Sequence, residues 1–299
     1  MIKKQHGVTL IELMVSMILG LALISGLSQL FVQSQSSFKL QRNLSDMTDD
    51  AVFVLEDLTK GLLLAGYSQS GAKDYPSITN TTFSIPGSPV VPTISFSNIN
   101  EFFHGADEVS NNRKGDQFVY RYKLNDASEL ENSICTNTTV LAKAYNEEIK
   151  NANDNSRKVN AIVMVRMYKK NDGSSFVFYC KSAVMTPDNA DSKIKSTVED
   201  AQPMISNVEK LTFKYGVKTT AGLFYYGKAA DVSDWTKVFA VKVFIVMQSA
   251  DKNLTRIKTG WSIDGGATEY PLVNEKYPLV NENRLYKVFS KTIFLRNAP

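Results

Sequence analysis

The apolar positions near the start of the chain form one long uninterrupted run. Residues from Val8 to Val32 are almost all apolar, and no charged residue lies between Glu12 and Lys39. A run of about 20 apolar residues is long enough for a helix to cross a bilayer. The pattern therefore predicts a membrane-spanning helix over residues 8–32.

The helical pattern continues past this run as a stripe on one face. Apolar residues recur there every three or four positions, at Leu40, Leu44, Met47, Ala51, Val54 or Leu55, Leu58, Leu62 and Ala65. Such spacing is typical of an amphipathic helix. We expect one helix from about Thr9 to Ala65, ended by Gly66, whose second half (33–66) packs on a globular domain.

Alternating patterns dominate the rest of the chain, which we expect to form a β-rich domain over 67–299. The stretch 67–115, with four prolines, is predicted to be loops. Predicted strands cover 117–123, 159–168, 174–184, 210–218, 237–248 and 285–295. The Asp172-Gly173 step favours a hairpin between the second and third of these strands. The range 237–248 is apolar on both faces, as in a central strand. The fold class predicted is α+β, with a long N-terminal helix packed on an antiparallel β-sheet.

A short duplication precedes the last predicted strand. The segment from Tyr270 to Glu275 recurs unchanged from Tyr277 to Glu282. A repeat this short cannot build a solenoid. We interpret it as a lengthened surface loop, with partner binding as the alternative.

Composition limits the chemistry that the chain can perform. A net charge of +4 with scattered basic residues does not indicate nucleic-acid binding. Two cysteines exclude a four-cysteine metal site, and neither a zinc-protease motif nor a phosphate-binding loop is present. Asp188 and Asp191 lack the spacing of a calcium loop. His104, in a turn-like context, is expected to be structural, so we predict no enzyme, no metal and no cofactor.

The first residues predict the orientation of the membrane helix. Lys3 and Lys4 precede the apolar run, and the positive-inside rule keeps such an end in the cytoplasm. A cleaved signal peptide and a plain membrane anchor both remain possible on these grounds. Glu12 indicates that the helix has a function besides anchoring, because a carboxylate inside a membrane helix costs about 2.5–3.5 kcal/mol on insertion scales.

The segment Gly7-Val8-Thr9-Leu10-Ile11-Glu12-Leu13-Met14-Val15 resembles the signal of type IV prepilins and pseudopilins. The resemblance implies a type IV pilin-like fold and a leader, 1–7, removed after Gly7 by a prepilin peptidase. It also implies methylation of the new N-terminus at Val8, which stands where phenylalanine is commonest. Glu12 would pair with the methylated amine of a neighbouring subunit or with its own. The alternative is that its side chain reaches the membrane surface.

Further residues resemble the PilW-type minor pilins: Leu63 to Tyr67, Trp235 to Ser249, and Thr292 to Asn297. This resemblance implies a low-abundance subunit near the pilus tip that primes assembly with other minor pilins, the major pilin and the inner-membrane platform. The subunit would be a single-pass inner-membrane protein, with a cytoplasmic N-terminus and a periplasmic domain, before it enters the pilus. Twitching, adhesion and DNA uptake all remain possible tasks.

Exported domains with two cysteines in an oxidising compartment usually pair them. We therefore expect a disulfide between Cys135 and Cys180, with two unpaired buried thiols as the alternative.

Two other functions stay open. A J-type pseudopilin of type II secretion would share the N-terminus, whereas the largest pseudopilins typically lack the glutamate seen at Glu12. A tip adhesin or DNA-uptake subunit would need an exposed patch, for which Tyr225-Tyr226 and the duplicated loop are the candidates.

Overall fold

The computed structural model describes eleven stretches of the chain. They are residues 9–68, 96, 100–107, 116–124, 161–172, 175–187, 194–198, 202–219, 221–255, 260–263 and 283–298.

A single helix, α1 (Leu10–Leu64), has 55 residues and is about 80 Å long. Thr9 caps its start, because the hydroxyl oxygen of this residue accepts a hydrogen bond from the Glu12 N–H at 3.3 Å. At the other end the chain turns at Gly66, whose φ of +74° suits glycine. The predicted helix from Thr9 to Ala65, stopped by Gly66, is thus confirmed.

The second half of α1 buries one stripe of side chains. Its buried residues are Asn43, Met47, Ala51, Val54, Leu55, Leu58, Gly61 and Leu62. They pack against both β-sheets. The helix contacts the last two strands of the chain, which belong to one sheet, and two strands of the other sheet. The predicted apolar stripe is confirmed, and Asn43 is an unexpected polar member of it.

The first sheet has six antiparallel strands. Five run in the order β1 (Phe103–Ala106), β2 (Gln117–Leu124), β3 (Ala161–Asp172), β4 (Ser175–Pro187) and β5 (Ile194–Val198). The sixth, β6 (Gln202–Ile205), pairs with β4 beside β5. Strands β3 and β4 pair from Ile162 opposite Met185 to Asp172 opposite Ser175, which confirms the hairpin. Strand β3 runs closer to the turn than predicted, and β4 is longer than predicted at its other end.

The second sheet has four antiparallel strands. They run in the order β10 (Tyr286–Phe294), β9 (Val238–Gln248), β7 (Val208–Lys218) and β8 (Phe224–Gly227). Strand β9 lies between two neighbours and is buried on both faces, as predicted. A β-bulge places Phe239 between the pairs Gly216–Ala240 and Val217–Val238, so the side chains of Phe239 and Ala240 share one face.

Some sequence interpretations were wrong. His104 does not lie in a turn, because it belongs to β1 and pairs with Val119 of β2. Part of the predicted loop region 67–115 is therefore strand. Strands β5, β6 and β8 were not predicted either, since four or five residues carry too little periodicity to distinguish a strand from a loop.

Several predicted features lie outside the described residues. They are the leader 1–7, Val8, Asp188, Asp191, Cys135 and the duplication over 270–282.

Candidate functional site

The first half of α1 is exposed along its length, and only its end, at Phe31 and Val32, lies beside the described part of the globular domain. The span has a mean hydropathy of 2.2 and is long and apolar enough to cross a membrane. Its large apolar side chains are more than half exposed almost throughout, from Leu10 at 77% to Val32 at 66%. An apolar surface of this size requires lipid or other protein chains around it.

Glu12 carries the one charge of this apolar surface. The residue lies in the first turn of α1, where its N–H is bound by Thr9 and its carbonyl oxygen accepts a bond from the Ser16 hydroxyl at 2.7 Å. Within the part of the chain that the structure describes, the carboxylate itself has no hydrogen-bond or ion-pair partner. A cation from outside these residues would complete the site.

The proposed processing residues cannot be placed beside Glu12. Gly7 and Val8 lie outside the described residues, which begin at Thr9. Cleavage after Gly7 and methylation of Val8 therefore stay predictions.

The second half of α1 also exposes apolar side chains on the face turned away from the sheets. Phe38 is 63% exposed, Phe53 57%, Val52 47% and Leu63 41%. At 100° per residue, Phe38, Val52 and Leu63 fall within a narrow sector opposite the buried Leu58. The apolar surface of the membrane segment is thus prolonged, in patches, along the outer side of the helix.

Asn43 fastens the middle of α1 to the loop that follows β9. Its side-chain N–H donates to the Asp251 carboxylate at 2.9 Å, and its side-chain oxygen accepts from the Asp251 N–H at 3.1 Å. Sequence reasoning missed this pair. A signal existed, because Asn43 lies four residues before Met47 and therefore on the apolar stripe.

His104 sits in an aromatic environment rather than in a reactive one. Its ring stacks on Trp235 at 4.6 Å between centroids and meets Phe96 edge-on. Burial lowers the pKa of His104 below its ordinary value of 6.5, which a backbone hydrogen bond at Gly105 opposes. Its Nδ1 is buried with no hydrogen-bond partner among the described atoms. The geometry supports a packing role.

No metal site is evident among the described residues. In this part of the chain, no three His, Cys, Asp or Glu side chains lie close enough together to hold a metal ion.

Tyr225 and Tyr226 lie on β8, the edge strand of the second sheet. They are 38% and 44% exposed, and the Tyr225 hydroxyl donates to the Asp231 carbonyl at 3.1 Å. On the outer face of the sheet, Phe239 at the β-bulge contacts three exposed aromatic rings, those of Phe224, Tyr226 and Phe294. An exposed aromatic patch therefore exists where the sequence proposed one.

Cys180 is in the core of the protein. It lies on β4 opposite Met167 of β3 and is 1% exposed. Because Cys135 lies outside the described residues, the disulfide between them stays a prediction.

Two family models match separate parts of the chain. Residues 2–28 match the prokaryotic N-terminal methylation motif. Residues 169–297 match type IV pilus-assembly protein W, and this range includes the strands of the second sheet and the end of β3. No curated protein matches the chain.

Among solved structures, the chain is similar to the type IV-like pilin TTHA1219 from Thermus thermophilus. The match covers 84% of this chain and 98% of that one, with 10% identity and a TM-score of 0.38. The two family matches, one at the prepilin-type N-terminus and one over residues 169–297, support a type IV pilin of the PilW type.

Proposed function

We propose that this pilin is a minor subunit that starts or supports assembly of a type IV pilus, together with other minor pilins at or near its tip. The observation that carries the proposal is the exposed apolar half of α1 with a single carboxylate, Glu12, on its surface. A role of this kind is structural, and it requires neither a cofactor nor a metal.

Before assembly the subunit is held in the inner membrane by this half of α1. Lys3 and Lys4 keep the N-terminus in the cytoplasm, and the β-rich domain lies in the periplasm. A prepilin peptidase removes residues 1–7 on the cytoplasmic side of the membrane and methylates Val8. The inner-membrane platform then passes the subunit into the growing filament.

Glu12 selects the position of the subunit in the filament. A carboxylate in an apolar environment is strongly disfavoured unless a cation pairs with it. The methylated amine of a neighbouring pilin supplies that cation at the same depth of the helix bundle. The pair therefore stabilises docking in one axial register, because other registers leave the carboxylate unpaired.

The outer side of the second half of α1 supports the same proposal. Phe38, Val52, Phe53 and Leu63 are exposed to solvent in the isolated chain. Neighbouring subunits in a filament would cover them. Burial of this surface adds a favourable term to assembly in proportion to the area covered.

The proposal is tested by deleting the gene in a strain that cannot retract its pili. A sharp fall in the number of surface pili, counted by electron microscopy, is expected. Unchanged pili would contradict a role in assembly. They would favour the alternatives, a type II secretion pseudopilin or a dispensable adhesive or DNA-uptake subunit.

The role of Glu12 is tested separately by Glu12→Gln. We expect the variant to insert in the membrane but to be recovered in sheared pili at a level lower by about tenfold or more, because loss of one partner of a buried ion pair costs about 3 kcal/mol or more. Glu12→Asp is the matched control, because it keeps a carboxylate at the same position of α1. Equal recovery of Glu12→Gln and wild type would count against the pairing.

A further inference from the structure

A groove lies where the membrane half of α1 meets the globular domain. Its volume is about 470 Å³. One wall is formed by Phe31, Val32, Gln35, Ser36 and Lys39 of the helix, and the other by Asp251, Lys252, Asn253 and Leu254. Going along the helix away from the membrane, the wall changes from apolar to polar and then to basic.

The groove lies at the level of the outer edge of the bilayer when the apolar run of α1 spans the membrane. About 20 helical residues fill the hydrocarbon core, and the apolar run from Val8 to Val32 exceeds that length slightly. Phe31 and Val32 therefore lie at the boundary between acyl chains and headgroups. Lys39 lies about 10 Å farther along the helix, within reach of the headgroup layer for a long flexible side chain.

The charges of the groove suit an anion. Lys39 is the first charged residue of the helix after Glu12, and Lys252 of the loop also lines the groove. The acidic residue of the groove, Asp251, directs its carboxylate to the Asn43 side chain at 2.9 Å. A phosphate group between the two lysines would meet two cations and one carboxylate that is already hydrogen-bonded.

The loop that forms the second wall is held firmly in place. The Ser249 hydroxyl donates to the Asp251 carbonyl at 2.8 Å and accepts from the Leu285 N–H at 3.1 Å. Arg284 donates to the carbonyl oxygens of Ser249 and Ala250. These bonds fix the loop to the residues that precede β10, and the two Asn43–Asp251 bonds fix it to α1. The groove is therefore preformed, and a ligand need not order it.

We propose that this groove binds the headgroup phosphate of an anionic phospholipid in the outer leaflet of the inner membrane. Lys39 and Lys252 contact the phosphate, and Phe31 and Val32 contact the upper part of an acyl chain. The inference rests on the proposed membrane-bound stage before assembly. It implies that the domain is docked on the bilayer in a fixed orientation and exchanges lipid for neighbouring subunits when it enters the pilus.

The test uses the full chain in nanodiscs of phosphatidylcholine, with and without phosphatidylglycerol. Hydrogen exchange of the amides in segment 252–254 is expected to be slower when phosphatidylglycerol is present. Each basic residue near an anionic membrane surface contributes about fivefold in affinity. We therefore expect Lys39→Gln and Lys252→Gln to reduce the protection by about fivefold each.

Lys228→Gln is the control, because this exposed lysine follows β8, far along the chain from the groove. It should leave the protection unchanged. Equal exchange in the two lipids, or full protection in the Lys39→Gln/Lys252→Gln double variant, would overturn the proposal. Protection that appears only after other pilins are added would also overturn it, because the groove would then be a subunit contact.

The same double variant separates this proposal from the proposed function. It keeps Gly7 and Glu12, so pili can be counted in cells that carry it. Lost lipid protection with normal pilus number supports the groove and leaves the assembly role intact. Normal lipid protection together with no effect of the gene deletion on pili would contradict the assembly role alone.

Discussion

The backbone of Gly105 lies directly against the hydroxyl of Tyr215, where the first sheet meets the second. A Cβ atom at position 105 would overlap the end of the Tyr215 ring and would come within 2.9 Å of Trp235. Tyr215 is fully buried, and its hydroxyl has no hydrogen-bond partner among the described atoms. The sheets approach this closely because residue 105 has no side chain.

Gly105→Ala should therefore destabilise the domain by about 1–3 kcal/mol, since overpacking forces neighbouring rings to move. Urea unfolding of the detergent-solubilised protein measures this. Tyr215→Phe is the companion variant, and it should cost nothing or stabilise slightly, because it removes a buried hydroxyl without a partner. Equal stability of Gly105→Ala and wild type would show that the contact can relax freely.

The bond between Asn43 and Asp251 gives a second prediction. Asn43→Ala removes both hydrogen bonds to Asp251, one of which involves a charged carboxylate, so unfolding should become easier by about 1–3 kcal/mol. Ser45→Ala, at an exposed site on the same helix turn, should change stability by less than about 0.5 kcal/mol. Similar effects of the two variants would show that the bonds to Asp251 do not stabilise the docked helix.

Processing of the N-terminus gives a third prediction. Gly7→Ala should block removal of residues 1–7, because the resemblance to the prepilin signal predicts the cut after this glycine. Intact-mass measurement of the membrane fraction should then find the full-length chain without N-methylation at Val8. The unprocessed protein should still be membrane-inserted, since α1 is unchanged. A normally shortened and methylated product would place the cleavage site elsewhere.

His104 predicts a specific dependence of stability on pH. Burial lowers the pKa of His104 in the folded protein below 6.5, whereas the unfolded chain keeps the ordinary value. The unfolded state therefore binds the proton first, and this contribution to stability is lost as the pH falls below about 6.5. It is fully present above that value.

Melting temperatures measured from pH 7.5 to pH 5 should thus fall more for wild type than for His104→Gln. The comparison isolates His104, because the other histidine, His6, lies in the predicted leader. Parallel curves for the two proteins would show that protonation of this ring does not oppose folding.

The disulfide gives the last prediction. A non-reduced digest should contain a crosslinked peptide pair joining Cys135 and Cys180, because both belong to the exported domain. Closing a loop of about 45 residues should add about 4 kcal/mol to the free energy of unfolding. Reduction should lower the melting temperature accordingly, and two free thiols in the purified protein would refute the bridge.

The sequence by itself determined the features that depend on local periodicity. A run of apolar residues and the stripe after it specify α1, since a helix satisfies its backbone hydrogen bonds internally. Long alternating segments likewise specified β2 and β7, and a segment that is apolar on both faces specified β9. The prepilin-type signal around Gly7 and Glu12 is a linear motif, so it can be recognised from the sequence without the tertiary structure.

Only the tertiary structure decided which distant residues meet. Short strands such as β1 and β8 exist because longer neighbours offer them hydrogen bonds, so His104 is in a strand despite its turn-like context. The contacts of Gly105 with Tyr215 and of Asn43 with Asp251 join residues far apart in the chain. Their energies depend on how the two sheets and α1 approach one another, and no periodicity within a segment encodes that approach.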